Sequence, residues 1–471
     1  MKRKPSYEEL VQENAELRKR VAELEAELAE VKALFKELLG QNSRNSHTPP
    51  SKDEKRYPKT KLKAKGELAK EDDTKEKREG KTLEYTATPD YIEKLKLEKT
   101  HCNCGQDLKA LESYWERIQV YELPEMALEV WEYQRERKCC GCGSLHEAVL
   151  PEGVNRGVQY GSRIKGLANY LHHYQQLPLG RSVELMKDCF GHSMSEASIL
   201  ACSEKLYGLL EETEQNILEE LRSSPTVYSD ETTLFVEQAK QNVHVRSNER
   251  LTYYHLNTSR GITAHKAIGL LENYAGNMVH DCYQSYFKHE GKHVICHSHT
   301  TRELTSVWEQ TNQTWALDLA QHLLDCNWER QQQPLTPIEQ ADYIQTYKDL
   351  VQQGITLNPK QARPPDDKKR GKVKQSKAHN LAQRLLKHED AATFFIRDMD
   401  VPFTNNQAER DLRMIKLKQK ISGGFRTILG AEIFCRIRGY ISTVRKQGLN
   451  VLHALTKAFQ HNASFSFQQY G

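Results

Sequence analysis

Apolar residues recur every seven positions near the beginning of the chain. Two interleaved registers carry them, Leu10, Leu17, Leu24, Val31 and Leu38 on one, and Val21, Leu28 and Phe35 on the other. Asn14 occupies an a position of this heptad pattern, where a buried amide favours a parallel, in-register dimer. The pattern therefore predicts a dimeric coiled coil over residues 6–40 that stops at Gly40. The alternative is a single amphipathic helix packed against its own chain.

Most of residues 41–98 form a lysine-rich run of mixed charge with few large apolar side chains. Because such a segment cannot bury a hydrophobic core, it predicts a flexible basic linker. The linker serves either as a solvated tether or as a basic arm that neutralises DNA phosphates.

Two cysteine clusters, each closed by a glycine, stand at residues 101–105 and 139–143. Paired cysteines followed by Gly are typical of the knuckles that hold a tetrahedral structural zinc ion. We predict a small β-rich module over residues 99–150 that binds one Zn²⁺ through Cys102, Cys104, Cys139 and Cys142. His101 competes with Cys102 as a ligand, and Cys140 is expected to stand outside the site. Without the ion the module is expected to fold poorly.

Helical periodicity returns over residues 157–222, with helices expected at 164–171, 181–189 and 195–221. Gly191 is expected to end the second helix, and Ser193 or Ser195 to cap the third. Two helices joined by so short a turn are typical of a helix-turn-helix that reads DNA, and equally of a plain helical hairpin. This region is the candidate DNA-binding domain.

After Pro225 the apolar period changes to two, which predicts strands at 226–230, 233–236, 242–245 and 251–255. A helix over 264–274 then precedes a short buried strand, 278–280, that delivers Asp281. The first part of an α/β core therefore spans residues 223–290. Residues 291–400 form a mainly helical segment, and residues 401–471 hold the last part of the core with C-terminal helices. The fold class is multidomain α+β.

Three acidic residues stand out by position, because Asp230 and Asp281 end expected strands and Glu409 lies on an expected helix. Two-magnesium phosphoryl transfer needs carboxylate oxygens around ions about 3.5–4 Å apart, and these residue types supply them. Two plain interpretations compete with this one. A strand-end Asp is often a turn former, and Glu409 lies three residues after Asn406, as in a capping box.

Basic residues follow Glu409 along the same helix and its exit: Arg410, Arg413, Lys416, Lys420 and Arg426. Three of them, Arg413, Lys416 and Lys420, share one helical face. A solvated basic face is the usual explanation of such a cluster, yet few acids balance it here. We predict a stripe that contacts DNA phosphates.

A third cluster, Cys296-His297-Ser298-His299, has the spacing of half a zinc site. No second pair with knuckle spacing follows it. Core packing of Cys296 and a buried, hydrogen-bonded His299 explain the cluster equally well, so no metal is assigned to it.

The composition adds limits. The 471 residues exceed what one hydrophobic core usually holds, so two to four structural units are expected. A mean hydropathy of −0.76 and the lack of an apolar run of about 18–20 residues argue against an integral membrane protein. No apolar segment follows the basic residues 2–4, so we expect no signal peptide and a cytoplasmic location, nucleoid-associated when the protein is bound to DNA. The net charge is only +4, so a DNA partner must meet local basic patches.

Several short segments recur in a recognisable order. They are Asn42 to Ser51 after the heptads, the cysteine clusters, Tyr160-Gly161, Leu177-Pro178-Leu179, Asp230-Glu231-Thr232, His280 to Tyr286, Cys296 to His299, Val401 to Arg410 and Lys420 to Arg426. In these segments, and over essentially its whole length, the chain resembles the transposases of the insertion sequence 66 family.

The resemblance implies a ribonuclease-H-like catalytic core whose acidic triad is Asp230, Asp281 and Glu409. It also implies a mainly helical insertion between the second and third acids, with Cys296 and His299 matching a Cys-x-x-His motif found there. Two departures are visible: Thr404 stands where an acid is usual, and the first knuckle is Cys-x-Cys or His-x-x-Cys. Glu231 is expected to face away from Asp230 because strand residues alternate, so it is assigned no metal.

The expected function is that of a DNA transposase. It would bind the terminal inverted repeats of its element, use two Mg²⁺ or Mn²⁺ ions to cut, and join the freed 3′-OH to target DNA. A homodimer or larger assembly through the coiled coil is expected, with small accessory proteins of the same element as further partners. The rival interpretations are a non-catalytic DNA-binding protein descended from such an element and a metal-dependent nuclease that does not join.

Overall fold

The computed structural model describes residues 62–67, 83–155, 157–363 and 371–460, together with the helical residues 16, 19–21 and 23. Most of the expected coiled coil over residues 6–40, and most of the linker up to residue 82, lie outside the described residues. Within the described ranges, no helix is both long and apolar enough to cross a membrane.

A short hairpin lies in the cysteine-rich region. Strand β1 (Arg137–Cys139) pairs antiparallel with β2 (Leu145–Glu147). Glu147 accepts salt bridges from Arg135 at 2.8 Å and from Arg137 at 2.6 Å, which tie the two strands together at their open end. Between residue 83 and this hairpin, the only helix or strand in the described structure is the 3-10 turn Leu108–Ala110. Among the described residues, the strands of the module that the sequence predicts as β-rich are therefore the two of this hairpin.

Four helices follow, α1 (Ser162–Asn169), α2 (Leu179–Phe190), α3 (Glu196–Leu209) and α4 (Glu211–Arg222), with a π-helical turn, Tyr170–Tyr174, after α1. Gly191, in the left-handed region at φ 64°, ends α2. The Ser195 hydroxyl accepts a hydrogen bond from the Ser198 N–H at 3.1 Å and caps α3. Both expected helix ends are thus confirmed.

The single helix expected over residues 195–221 is wrong, because the chain breaks at Leu210 (φ −91°, ψ 1°). Three glutamates in the next turn favour a new helix start, since acidic side chains stabilise the positive end of the helix dipole.

Five strands form one mixed sheet. They are β3 (Thr226–Val236), β4 (Ala239–Ser247), β5 (Thr252–Asn257), β6 (Asn277–His280) and β7 (Lys292–Ile295), in the order β5-β4-β3-β6-β7. The first three pair antiparallel, whereas β6 runs parallel to β3 and β7 runs parallel to β6. The central strand is therefore β3, which carries Asp230.

Helix α5 (Ile262–Ile268) connects β5 to β6. The sequence predicts a helix that continues to residue 274, and this is wrong. Gly269 adopts φ 68° and its N–H donates back to the His265 carbonyl, so the helix ends at Ile268, before residue 274.

A helical layer follows β7, made of α6 (His297–Thr311), α7 (Thr314–Gln332), α8 (Pro337–Leu357), α9 (Lys377–Lys387) and α10 (Glu389–Arg397). Its core continues into the sheet, because Val279, Val294 and Ile295 of β6 and β7 belong to the same buried cluster as Trp315. These five helices lie in the segment 291–400, which the sequence predicts to be mainly helical.

Three last helices, α11 (Asn406–Ser422), α12 (Ile428–Lys446) and α13 (Val451–Ala458), complete the described chain. Helices α11 and α12 bury their apolar side chains against Leu234, Val243 and Val245 on one face of the sheet. The opposite face packs against α4 and α5 through Val227 and its neighbours. Asp230 and Glu231, which are consecutive on β3, therefore point into different layers.

Candidate active site

Asp230 lies within β3, and Asp281 directly follows β6, the strand that runs parallel to β3. Tyr228 of β3 pairs with Val279 of β6, so Asp230 and Asp281 each stand two residues beyond a paired position. The last pair of β6 with β7 is His280 with Ile295, which Cys296 follows directly. One row thus contains Asp230, Asp281 and Cys296.

Asp230 is held in a crowded acidic environment. Burial raises the pKa of its carboxyl well above the usual range, and the charges of Glu231, Asp281 and Glu409 raise it further. One contact opposes this shift, because the Glu231 backbone N–H donates to Asp230 Oδ1 at 2.8 Å. Without a cation nearby, the Asp230 carboxyl favours its protonated form.

Asp281 responds to the same environment. Burial and then the Glu231 charge raise the pKa of its carboxyl to about 7. The Tyr283 backbone N–H, which donates to Asp281 Oδ1 at 3.2 Å, and the Arg260 guanidinium act in the opposite direction. Two half-buried carboxyls with raised pKa values, one on β3 and one just after β6, form a site that a cation would stabilise.

Glu409 projects from the first turns of α11 and makes different contacts. Its Oε1 lies 3.6 Å from His299 Nδ1 and its Oε2 lies 3.9 Å from an Arg302 guanidinium nitrogen. Ligand atoms of Cys296, His299 and Glu409 lie within 4.8 Å of one another, and among the described residues this is the only such group of three or more His, Cys, Asp or Glu side chains. The negative charge of Glu409 raises the pKa of Asp230, but the Glu409 carboxylate lies beside Cys296 and His299.

The capping-box interpretation of Glu409 is wrong. Asn405, not Asn406, is the N-cap of α11, and its side chain makes no capping hydrogen bond. Asn405 Nδ2 instead donates to the Ser229 carbonyl at 2.8 Å, and the Asn405 backbone N–H donates to Cys296 Sγ at 3.1 Å. Glu409 is the fourth residue of the helix, where its carboxylate is available for other contacts.

Glu231 faces away from Asp230, as strand alternation predicts. Its Oε1 binds Arg260 Nε at 2.8 Å, and its Oε2 accepts a hydrogen bond from the Tyr286 hydroxyl. The Arg260 guanidinium also lies 4.8 Å from the centre of the Tyr283 ring. Arg260 thereby links the strand that carries Asp230 to the turn that holds Asp281. Nothing in the spacing of the sequence indicated this role for Arg260 or the contact of Arg302 with Glu409.

The predicted DNA-contacting residues are all exposed on α11 and the turn after it: Arg410, Arg413, Lys416, Lys420 and Arg426. Lys416 donates to the Thr233 carbonyl at 2.9 Å, and the partial desolvation of its ammonium group lowers the pKa of that group. The one acid between them, Asp411, is buried and paired with Lys446 at 2.8 Å. It therefore leaves the exposed positive charges unbalanced.

The cysteine clusters fold as two matching turns. The Cys102 N–H donates to the Gln106 carbonyl at 2.8 Å and the Gly105 N–H to Cys102 at 2.9 Å. The second cluster repeats the pattern: the Cys140 N–H donates to the Ser144 carbonyl and the Gly143 N–H donates to the Cys140 carbonyl, both at 2.8 Å. Cys140, expected to stand outside the site, thus occupies the place that Cys102 has in the first turn.

Hydrogen bonds lower the pKa values of two of these exposed thiols. Backbone and side-chain hydrogen bonds from Cys104 lower the pKa of the Cys102 thiol, and hydrogen bonds from Ser144 lower that of Cys142 to about 7. Lowered pKa values favour the thiolate that metal binding requires. In the described structure, Cys102, Cys104, Cys139 and Cys142 do not form a group whose ligand atoms all lie within 4.8 Å of one another.

The chain matches a known protein family. The model of the family described as "Transposase IS66 family" matches residues 157–433, more than half of the chain. This range contains the whole sheet, both aspartates, Glu409 and the helical layer between them. Comparison with individually curated proteins finds no match.

Proposed function

Because the chain belongs to the IS66 family of transposases, we propose that it binds the terminal inverted repeats of an insertion sequence, cleaves DNA there and joins the freed ends to target DNA. Family membership makes it a DNA-processing enzyme in general. The cleavage and joining chemistry, of the type that uses an acidic triad, is our proposal.

The observation that carries the proposal is the placement of Asp230 on β3 beside Asp281, which directly follows the parallel neighbour β6, with Glu409 close enough to raise the pKa of Asp230. The five-stranded mixed sheet, with its helical layer between the second and third acids, supports a ribonuclease-H-like core with an insertion.

The residues present fit a pair of hard divalent cations. Carboxylate oxygens are the ligands that Mg²⁺ and Mn²⁺ prefer, and a bound cation would offset the burial and the nearby acidic charge that raise both aspartate pKa values. Asp230 and Asp281 would hold the ions, and Glu409 would complete the set after turning from His299. Bound ions would activate the attacking oxygen and stabilise the leaving one.

The chain's own basic residues would place the DNA. The exposed, unbalanced charges of Arg410, Arg413, Lys416, Lys420 and Arg426 begin one residue after Glu409, so phosphates bound along α11 would pass the acidic site. The role of α2 and α3 in reading the element ends, and of the heptad segment in forming a dimer or larger assembly, are further parts of the proposal.

A joining assay tests the proposal. Purified protein is incubated with a labelled duplex of the element end and a plasmid, in Mg²⁺, in Mn²⁺ and in EDTA. We expect metal-dependent joining that Asp230→Asn, Asp281→Asn and Glu409→Gln each abolish while end binding is retained. Asp390→Asn, at a side chain that is 95% exposed on α10, is the matched control and should join normally.

Other outcomes separate the rival functions. Cleavage of the labelled end without any joined product would identify a nuclease. Robust joining by a purified triad variant would refute the acidic triad. Binding without cleavage, unchanged after the neighbouring proteins of the element are added, would identify a non-catalytic DNA-binding protein.

The cysteine turns are proposed to hold one structural Zn²⁺. Their lowered thiol pKa values and repeated glycine turns at φ 91° and 87° support this role. A zinc content that falls by one ion per chain in Cys104→Ser and in Cys142→Ser is the expected result. An unchanged content in both variants would contradict it.

A further inference from the structure

A second ligand group, chemically different from the aspartate pair, surrounds Glu409. It combines the Cys296 thiol, the His299 imidazole and the Glu409 carboxylate, with their ligand atoms within 4.8 Å of one another. Cys296 directly follows β7 and is the N-cap of α6, His299 lies in the first turn of α6, and Glu409 lies in the first turns of α11.

The backbone builds this group firmly. The His299 N–H donates to the Cys296 carbonyl at 3.2 Å, which holds the two residues in one turn at the start of α6. Cys296 is 1% exposed, and its Sγ accepts the Asn405 N–H at 3.1 Å. The same Asn405 begins the helix that delivers Glu409, whose buried Oε1 accepts no hydrogen bond in the described structure. Three elements therefore converge on one small volume.

The donor atoms select the kind of ion. A thiolate, an imidazole and a carboxylate suit Zn²⁺, which commonly takes three protein ligands and leaves a fourth position open. Magnesium ions prefer oxygen ligands throughout, as Asp230 and Asp281 offer.

Binding requires a small contraction. Bond lengths of about 2.0–2.3 Å place the ligand atoms of a tetrahedral Zn²⁺ about 3.3–3.8 Å apart. The group must therefore close by about 1 Å, and rotations of the His299 and Glu409 side chains supply this. Arg302, 3.9 Å from Glu409, must turn away, and its side chain is 39% exposed and free to reach solvent.

We propose that Cys296, His299 and Glu409 form a binding site for a soft divalent cation such as Zn²⁺, and that this site shares Glu409 with the catalytic site. One consequence rests on the proposed function: Zn²⁺ bound there holds Glu409 beside Cys296 and His299, and so removes the third carboxylate from the aspartates. The Cys-His pair then makes joining sensitive to Zn²⁺.

Zinc content tests the site without reference to catalysis. The full-length protein is saturated with Zn²⁺, passed over a desalting column and analysed by mass spectrometry for metal per chain. We expect Cys296→Ser and His299→Gln each to hold one ion fewer than the wild type, with affinity for that ion lowered more than about 100-fold. Cys326→Ser, at another buried cysteine on α7, is the matched control and should bind as the wild type does.

A spectroscopic measurement separates this ion from any held by the cysteine turns. In a full-length Cys104→Ser, Cys142→Ser background, Co²⁺ should give thiolate-to-metal absorption that disappears when Cys296→Ser is added. Wild-type zinc content in both Cys296→Ser and His299→Gln, or cobalt absorption unaffected by Cys296→Ser, would overturn the site.

The joining assay then tests the consequence. Micromolar Zn²⁺ added to the Mg²⁺ reaction should inhibit wild-type joining, and the residual joining of His299→Gln should resist the same Zn²⁺. A site that binds zinc while joining is equally sensitive in both proteins would remove the shared-carboxylate argument. Failure of all joining would instead count against the proposed function, because the zinc measurements stand without it.

Discussion

Asn405 and Ser229 are joined by a hydrogen bond from the asparagine Nδ2 to the serine carbonyl oxygen, at 2.8 Å. Ser229 directly precedes Asp230 on β3, and Asn405 is the N-cap of the helix that carries Glu409. The Asn405 backbone also binds Cys296. One fully buried residue thus fixes the start of α11 against β3 and against the residue that follows β7, and with it the separation of the first and third acids.

Asn405→Ala should therefore damage both stability and chemistry. Removing the amide leaves the buried Ser229 carbonyl without its partner, which costs about 1–3 kcal/mol of unfolding free energy. We also expect joining to fall more than DNA-end binding does, because the helix that carries Glu409 is then no longer held against β3. Urea unfolding and the joining assay measure the two effects.

Asn406→Ala is the matched control, since Asn406 is exposed at the next position. It should leave stability within about 0.5 kcal/mol of the wild type. Wild-type joining by Asn405→Ala would show that α11 is positioned by other contacts.

The sequence predicted the acid-bearing edge because local patterns determine it. An apolar period of two places Asp230 and Asp281 at strand positions, and parallel strands bring such positions together. The same reasoning separated Glu231 from Asp230. It divided β3 into two strands, however, because Glu231 and Thr232 interrupt the apolar alternation, whereas continuous pairing with β4 keeps them in the ladder.

Contacts between distant segments could not be predicted. Glu409 meets His299 and Arg302 across more than 100 residues of chain, and Arg260 meets Glu231 through a loop outside any periodic pattern. The capping-box interpretation failed for a related reason. It assumed that α11 begins after Asn406, whereas the tertiary hydrogen bond of Asn405 moves the helix start one residue earlier.

Arg260 and Glu231 should show energetic coupling. The Glu231 side chain is fully buried and the Arg260 side chain is 48% exposed, so Arg260→Ala leaves a buried carboxylate with one partner fewer. We expect Arg260→Ala to lower the unfolding free energy by about 1.5–3 kcal/mol.

A double-mutant cycle measures the coupling. The loss of unfolding free energy in the double variant Arg260→Ala, Glu231→Gln should be smaller than the sum of the losses in the two single variants. The difference, the interaction energy, should be about 1–3 kcal/mol. Arg260→Lys, which keeps the charge, should lose less than Arg260→Ala. Additive costs would indicate that the two side chains contribute independently.

Buried histidines should make the protein sensitive to acid. Burial lowers the pKa of His265 to about 2 and that of His244 to about 3, with Arg246 adding to both shifts. An unfolded histidine titrates near 6.5. Below that pH these histidines bind protons in the unfolded chain but not in the folded chain, so the unfolding free energy falls as the pH drops from about 6.5 towards 3.

The slope identifies the contribution of one ring. Each proton taken up on unfolding changes the unfolding free energy by about 1.4 kcal/mol per pH unit. In EDTA between pH 5 and 6, His265→Gln should flatten the slope by nearly that amount. His453→Gln, on an exposed position of α13, should leave the slope unchanged. An equal slope in His265→Gln and the wild type would show that the His265 ring does not stay neutral.

The exposed charges on α11 should determine part of the salt dependence of DNA binding. A side chain that neutralises one phosphate contributes about −0.9 to the slope of log affinity against log salt concentration. Arg413→Ala should therefore weaken binding to all duplexes similarly and reduce the slope by about one unit. Lys360→Ala, which removes an exposed charge between α8 and α9, is the matched control and should change neither quantity. If both variants reduced the slope equally, the attraction would come from the overall field of the protein, and the stripe on α11 would not be the DNA-binding surface.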